Sequence, residues 1–199
     1  MKHAVVLAHP NPASFTHANA AAYETAVRAL GHETVRRDLY AAGFDPRMPA
    51  QEIPGAPDYR IAEEVAAERA LVAEADVFAF FYPWWFNAPP AILKGYVDRV
   101  MGPGFGYAPG PSGVQPLLAG RRLVSFTTSG APDAWVAQTG ALETLKRGFD
   151  AHLAGVLGLS VADHVHIGGV VANMTPEAAE ALLAETADAA RRLFGDASV

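Results

Sequence analysis

Aromatic, hydroxyl and proline residues crowd three short segments of the chain, which read HPNPASF at 9–15, PWWFNAPP at 83–90 and TTSGAPD at 127–133. Indole and phenyl groups such as those of the second segment can pack against a planar ring system and exclude water from it. The first segment leads into a predicted helix, whose free N–H groups and dipole favour a phosphate. Small residues in the third segment let backbone amides approach the polar edge of a ring. Together the three segments predict a flavin site.

Each of these signals also has an ordinary structural interpretation. Ser14 fits a plain helix cap, worth ~1 kcal/mol, while His9 fits a turn and TTSG is common in turns. The aromatic residues 84–86 differ, because they follow a predicted strand and precede a helix that starts at proline. Exposed aromatic groups in such a place indicate a binding surface. The joint placement favours the cofactor, with Ser14 and Thr16 as hydroxyl donors to its phosphate.

Short apolar runs alternate with helical patterns along the chain and position these segments. The predicted strands are 3–8, 33–40, 76–82, 121–130 and 162–170. The predicted helices are 16–30, 58–75, 89–101, 134–157 and 175–194. This alternation indicates a parallel sheet with right-handed crossovers and helices on both faces. Ligands of such sheets bind beyond the carboxyl ends of the strands, which is where the three segments lie.

Some details of the connections also follow from the sequence. We expect Asp58 and Asn87 to cap the second and third helices, since both residue types favour that position. We expect one unbroken helix over 134–157. Residues 102–116, rich in glycine and proline, are predicted to form an irregular surface excursion that serves as pocket rim and dimer contact.

Composition limits the classes of protein that fit. A length of 199 residues fits a single domain over 1–199. The absence of cysteine excludes a thiolate nucleophile and metal sites with sulfur ligands. A formal net charge of −6 argues against a nucleic-acid partner. We also expect no membrane span and no export signal, and therefore a cytoplasmic protein.

Several common motifs are missing. No G-x-G-x-x-G follows the first strand, and the chain contains neither a P-loop nor a G-x-S-x-G nucleophile elbow. His164 and His166 alternate in the fifth predicted strand, but two histidines without a third ligand are weak evidence for zinc. We therefore predict no metal site, and polar surface or core roles for both histidines.

Four segments carry a resemblance to a known family: VVLAHPNPASFTHA, RDLYAAGFDP, YPWWFNAPPAILKGYVDRVMGPGFGY and TTSG. They resemble the flavodoxin-like NAD(P)H:quinone oxidoreductases, which include DT-diaphorase and bacterial relatives. The resemblance extends from residue 3 to about 170 and is most specific in the third segment. It implies an α/β, flavodoxin-like, doubly wound sheet of five parallel strands in the order 2-1-3-4-5.

The resemblance also implies how the cofactor is held. The phosphate side would lie at the first segment, the isoalloxazine against the second and the pyrimidine edge at the third. The residues expected to bind the cofactor are His9, Ser14, Phe15, Thr16, Pro83, Trp84, Trp85, Phe86, Thr127, Thr128, Ser129 and Gly130. FAD is the expected flavin, with FMN as the alternative and NAD(P)H as the co-substrate.

Relatives commonly form dimers whose active sites draw on both chains. By position, this implies a homodimer in which Phe105 and Tyr107 are lent across the interface toward the substrate. In the best-known relatives a tyrosine and a histidine that steady charge on the reduced flavin follow the TTGG-like segment. Here Trp135, an expected substrate contact, stands at the tyrosine position, and no histidine lies between Gly130 and His152. The group that handles the proton is therefore open.

The expected function is enzymatic: two-electron, ping-pong hydride transfer from NAD(P)H through the flavin to a quinone or similar aromatic acceptor. Trp85 and Phe86 would hold the acceptor against the ring, and backbone amides ending at Gly130 would stabilise developing negative charge. Azo or nitro reduction by the same flavin is one alternative. A regulatory flavoprotein that binds a membrane transporter of the potassium-efflux type is another.

Overall fold

A parallel β-sheet forms the centre of the protein. The computed structural model describes residues 1–111 and 113–195, so that Ser112 and the last four positions of the predicted domain, 196–199, lie outside the described residues. The strands are β1 (Lys2–Leu7), β2 (Glu33–Asp38), β3 (Val77–Pro83), β4 (Tyr107–Gly110), β5 (Gly113–Pro116), β6 (Arg122–Thr128) and β7 (Ser160–Ile167). The helices are α1 (Phe15–Ala29), α2 (Glu63–Val72), α3 (Ala91–Val100), α4 (Asp133–Thr139), α5 (Ala141–Leu145), α6 (His152–Leu157) and α7 (Pro176–Phe194).

The order of the sheet is β2-β1-β3-β6-β7. All of its strand pairs are parallel. Because β6 and β7 are the fourth and fifth strands of this sheet along the chain, the predicted flavodoxin-like order 2-1-3-4-5 is confirmed. The direction of winding reverses between β1 and β3, which makes the carboxyl ends of these two strands the switch point of the fold.

Helices cover both faces of the sheet. Successive side chains of β3 point to opposite faces: Phe78, Phe80 and Tyr82 enter one core with residues of α2, α3 and α6. Phe81 enters the other core with residues of α1 and α7. Every residue of β3 is buried, because this strand has a neighbour on each side and helices above and below.

The helix boundaries differ from the expected ones in three places. Asp58 is not a cap, since α2 begins at Glu63 with Ala62 in the capping position. Asn87 is not a cap either: it adopts φ 56°, and α3 begins only at Ala91 after an extended Pro90. The long helix expected over 134–157 is broken at Gly140, whose left-handed φ of 65° separates α4 from α5. It then widens into a π turn at Lys146–Ala151 before α6.

The excursion over 102–116 is more regular than predicted. Its second half forms the antiparallel pair of β4 and β5, with Tyr107 opposite Pro116. Gly106 precedes this pair in a tight turn, where an added Cβ would collide with the carbonyl oxygen of Met101. Among the described residues, no helix combines the length and the apolar character that crossing a membrane requires.

A buried ion pair ties the loop after β2 to α3. Nε of Arg99 lies 2.8 Å from Oε2 of Glu52, and both side chains are only 3% exposed. Oε1 of Glu52 also accepts a hydrogen bond from the Ala62 N–H at 3.0 Å, just before α2 begins. Arg99 has a second partner, Glu64, whose side chain is 50% exposed. The hydrogen bond from Arg99 holds the pKa of Glu52 below its usual value.

We predict that Glu52→Gln lowers the free energy of unfolding by about 3 kcal/mol, because it removes the buried countercharge of Arg99. Glu64→Gln is the matched control and should cost less than about 1 kcal/mol, since its carboxylate is half exposed. Urea denaturation measures both values. A carboxyl group with a lowered pKa stabilises the fold above its unfolded-state pKa and loses that effect as the pH falls. The difference between wild type and Glu52→Gln should therefore shrink in acid, and equal losses for the two variants would contradict the assignment.

Candidate functional site

The register of the central strands brings the three chemistry-bearing segments together. Leu7 pairs with Phe81, and Pro83 pairs with Thr128. Hydrogen bonds continue the ladders just past the strand ends: the Ala8 N–H donates to the Phe81 carbonyl oxygen at 2.9 Å, and the Trp84 N–H donates to that of Thr128 at 2.8 Å. The loops after β1, β3 and β6 therefore start side by side at one edge of the sheet.

A cavity of about 330 Å³ lies at this edge. Its lining residues are His9, Ser14, Phe15, Thr16, Pro83, Trp84, Trp85, Thr128, Ser129, Gly130 and Val170. The structure thus assembles every residue expected to bind the cofactor except Phe86 and Thr127. Val170, from the loop after β7, was not anticipated; its N–H donates to the Ser129 carbonyl oxygen at 2.9 Å, which holds the two loops together.

One corner of the cavity is the N-terminus of α1. Ser14 caps this helix, accepting a hydrogen bond from the His17 N–H at 3.4 Å. The first turn contains no acidic residue, so the helix dipole is not offset by a side-chain carboxylate. The Thr16 hydroxyl lies 3.4 Å from that of Thr128, joining the first and third segments. Such a corner suits an anion.

His9 adds a hydrogen-bond donor to this corner. Its Nδ1 accepts a hydrogen bond from the Asn11 N–H at 3.0 Å. Burial lowers the pKa of His9 below its usual value, with a smaller contribution from His17 in the same direction. In the neutral ring Nε2 carries the remaining hydrogen. His9 thus offers an N–H to a ligand without bringing a permanent positive charge.

The second segment supplies a wall of indole groups. The Trp84 ring stacks on His166 with centroids 3.7 Å apart and planes at 22°. Its Nε1 is buried and finds no hydrogen-bond partner among residues 1–111 and 113–195, which leaves a donor for a ligand. Trp85 is 43% exposed at the cavity edge. Phe86 departs from the expectation: its φ of 52° turns the chain outward, and the side chain is fully exposed rather than part of the lining.

The third segment divides between the cavity and the core. Thr128, Ser129 and Gly130 line the cavity, but Thr127 points the other way, because neighbouring residues of a strand alternate in direction. The buried Thr127 hydroxyl lies 2.9 Å from both His164 Nε2 and His166 Nδ1. Thr127 therefore does not belong to the cavity lining.

Two histidines with predicted polar surface or core roles lie next to the site, a position that was not predicted for them. His166 Nε2 lies 3.1 Å from the Ser129 hydroxyl, and His164 Nδ1 contacts the buried carboxylate of Asp150. The sequence pattern that could link them to the site is the alternation of His164 and His166 in β7, considered together with the hydroxyl residues of β6. Its significance depends on a register that pairs Thr127 with His166, and that register is not visible in the sequence.

The expected substrate contacts lie away from this cavity. Phe105 packs against the core beside Arg69, whose guanidinium carbon is 5.9 Å from the ring centroid. Tyr107 borders two other cavities, of about 310 Å³ and 470 Å³. Trp135 is 49% exposed on α4. Within one chain, none of the three is part of the lining of the strand-end cavity. In the described part of the chain, no group of three or more histidine or acidic side chains is arranged to hold a metal ion.

Comparison with known proteins agrees with this architecture. An uncharacterised NAD(P)H oxidoreductase of Haemophilus influenzae is 35% identical over 132 residues, which cover 66% of this chain and 65% of that protein. Rat NAD(P)H dehydrogenase [quinone] 1 is 30% identical over 152 residues, covering 67% of this chain and 56% of the rat protein. The alignments therefore span less than two thirds of either relative.

Solved structures and a family match extend over nearly the whole chain. The NAD(P)H:quinone oxidoreductase from Methanothermobacter marburgensis superimposes with a TM-score of 0.81 at 25% identity, covering 98% of this chain and 96% of that one. Residues 1–193 match the family described as flavodoxin-like fold. The chain belongs to this flavodoxin-like family.

Proposed function

We propose that the protein is a flavin-dependent NAD(P)H:quinone oxidoreductase. The observation that carries the proposal is the cavity at the ends of β1, β3 and β6, which combines a helix N-terminus, an indole wall and a strand-end glycine in one space. The M. marburgensis and rat proteins, whose names describe quinone reduction, support the choice of reaction. When bound, the flavin supplies the chemistry, since it accepts a hydride from NAD(P)H and passes two electrons to the acceptor.

The residues present fit a flavin nucleotide, FAD or FMN. The α1 N-terminus, with His9 and the Thr16 hydroxyl, would hold the phosphate. Trp84 and Trp85 would flank the ring and exclude water from it. The unpartnered Nε1 of Trp84 is a buried donor that a polar ligand can satisfy.

The pyrimidine edge of the ring would meet the loop after β6. The Ser129 N–H is already used, because it donates to the Ile167 carbonyl oxygen at 3.0 Å. The Gly130 N–H is left for the ring edge, and the Ser129 hydroxyl can join it when it turns away from His166 Nε2, which lies 3.1 Å away. These groups would stabilise negative charge that develops there during the reaction.

We further propose that the working form is a homodimer. Phe105 and Tyr107 lie apart from the strand-end cavity of their own chain, and Tyr107 begins β4, whose partner strand β5 is exposed along its whole length. A two-fold interface would carry the same surface on both chains and let each lend these residues to the other's site.

The reaction type is tested by steady-state kinetics with NADH or NADPH and a simple benzoquinone. A ping-pong mechanism, in which NAD(P)H and the quinone occupy one site in turn, predicts parallel double-reciprocal lines. Trp85→Ala should lower quinone turnover about tenfold, the loss expected when an aromatic contact worth about 1.4 kcal/mol is removed. Its melting temperature should change little, because the side chain is 43% exposed.

Tyr40→Ala is the control for this assay, since Tyr40 is 37% exposed and does not line the strand-end cavity. It should leave turnover at the wild-type level. Intersecting lines would count against a shared site. A large drop in the melting temperature of Trp85→Ala with unchanged turnover would show that its indole is structural.

The phosphate corner can be tested with inorganic phosphate and the ligand-free protein. Phosphate should shift the backbone amide signals of residues 14–16 and raise the pKa of His9, because a nearby anion favours the imidazolium form. The N-terminus of α7 is an internal control: Thr175 caps it as Ser14 caps α1, but Glu177 places a negative charge in its first turn. Equal signal shifts at both helices, or a His9 pKa unaffected by phosphate, would contradict a phosphate site at the N-terminus of α1.

The shared site predicts complementation between two impaired variants. Trp85→Ala damages the cavity of its own chain, and Tyr107→Ala would damage that of the partner. Mixed dimers therefore contain one site in which both residues are intact. Activity after co-refolding the two variants should exceed that of either homodimer, as measured by quinone reduction. If mixing yields only the average of the two homodimer activities, Tyr107 acts within its own chain or not at all.

A further inference from the structure

A continuous chain of hydrogen bonds runs from the core to the floor of the strand-end cavity. Asp150 Oδ2 contacts His164 Nδ1, and His164 Nε2 lies 2.9 Å from the Thr127 hydroxyl. The same hydroxyl is 2.9 Å from His166 Nδ1. His166 Nε2 then lies 3.1 Å from the hydroxyl of Ser129, which lines the cavity.

The inner end of this chain is buried and fully bonded. The side chains of His164 and Asp150 are 0% and 2% exposed. The second carboxylate oxygen of Asp150 accepts a hydrogen bond from the Ser125 hydroxyl at 2.8 Å. Asp150 belongs to the π turn at Lys146–Ala151, a helix distortion often found at functional sites. A network placed this deep is stable only when every member has a partner.

The hydrogen-bonding rules of the side chains give this chain one direction when Asp150 is ionised and His164 is neutral. A carboxylate only accepts hydrogen bonds, so in that state the hydrogen of His164 lies on Nδ1 and its Nε2 is an acceptor. The single hydrogen of the Thr127 hydroxyl then goes to His164, and His166 must donate to Thr127 through Nδ1. Nε2 of His166 is left as an acceptor for the Ser129 hydroxyl. Every hydrogen bond thus points from the cavity toward Asp150.

The protonation state of His166 decides where the Ser129 hydroxyl points. When His166 is neutral, the hydroxyl donates inward to its Nε2. When His166 is protonated, both ring nitrogens donate, and the Ser129 hydrogen must turn elsewhere. It can turn into the cavity or toward the Ala131 carbonyl oxygen, which lies at 3.3 Å.

The surroundings of His166 keep its resting state neutral. Burial and then His164 lower the pKa of His166 to about 4, while Asp133 opposes the shift. Trp84 covers one ring face. The charged groups that border it from the neighbouring helices are Asp133 of α4 and Glu143 of α5, which line a cavity of about 300 Å³ together with His166. That cavity gives protons a route from solvent to the imidazole.

We propose that this hydrogen-bonded chain is a relay that responds to negative charge in the cavity; its members are Asp150, His164, Thr127 and His166. When such a charge appears, His166 takes up a proton and the Ser129 hydroxyl turns toward the charge. This inference rests on the proposed function, because a hydride delivered to a flavin brings such a charge. The step is a proton transfer alone: one proton passes from solvent to Nε2 of His166, and no electron moves within the relay. Ser129 lines the cavity and would contact the flavin there, whereas Asp150, His164, Thr127 and His166 are positioning residues. The relay would supply a proton-handling group to a chain that lacks the tyrosine and histidine after TTSG.

The direction of the relay is tested by the ¹⁵N signals of the histidines in the ligand-free protein. We expect hydrogen on Nδ1 of both His164 and His166 at neutral pH. Hydrogen on Nε2 of either ring would reverse the direction and overturn the relay. This measurement needs no substitution and no cofactor.

The response to charge is tested on the wild-type protein loaded with flavin. The pKa of His166 should rise from about 4 by about three units when the flavin is reduced with dithionite, since a negative charge nearby favours the imidazolium and protonation near neutral pH requires a shift of that size. His152 is exposed, lies outside the strand-end cavity and serves as the internal control, whose ¹⁵N signals should be the same in both redox forms. A His166 pKa that is the same in both redox forms would overturn the proposal.

The midpoint potential gives a second readout. Proton uptake by His166 changes the reduction equilibrium by a further factor of ten per pH unit, which is about 30 mV for a two-electron couple, at pH values between the pKa of His166 in the oxidised protein and that in the reduced protein. His166→Gln should lose this part of the pH slope, and His152→Gln should keep it. Equal slopes in all three proteins would overturn the relay while leaving flavin chemistry intact. A wild-type protein that binds neither FMN nor FAD would instead remove the proposed function and the relay's role together.

Discussion

The hydrogen bond from the Trp84 N–H to the Thr128 carbonyl oxygen, 2.8 Å long, is the constraint on which the site depends. It extends the hydrogen-bond ladder between β3 and β6 by one residue. It thereby fixes the distance between the start of the loop that carries the tryptophans and the start of the loop that carries Gly130. The corresponding bond from Ala8 to Phe81, at 2.9 Å, does the same for the loop that leads to α1. Because all these strands are parallel, their carboxyl ends lie at one edge, and three segments far apart in sequence form one cavity.

Most of the fold follows from local patterns in the sequence. The apolar run of β3 predicts a strand buried on both faces, and the alternation with helices predicts the parallel order. Two kinds of detail do not follow. The break at Gly140 depends on a single left-handed residue within an otherwise helical pattern. The late start of α3 depends on the tight turn at Phe86 and Asn87, where two residues other than glycine adopt positive φ.

The site was predictable where it depends on loop position and unpredictable where it depends on side-chain direction. Placement after a strand was enough to bring His9, Ser14, Trp85 and Ser129 to one cavity. It did not distinguish Thr127 from Thr128, which face opposite sides of the sheet. The role of the β7 histidines depends on the pairing of Thr127 with His166 across strands, a long-range register that no local pattern contains. The proton-handling group that we propose, His166, therefore lies on the strand next to β6, whereas the sequence after TTSG contains no histidine before His152.

We infer that this edge of the sheet holds a flavin, and the cofactor content of protein purified from cells grown with ample riboflavin tests this inference. We expect a yellow protein whose absorption spectrum is that of a bound flavin, with mass spectrometry of the released compound identifying FMN or FAD. A colourless protein that also fails to bind either nucleotide at micromolar concentration would contradict it.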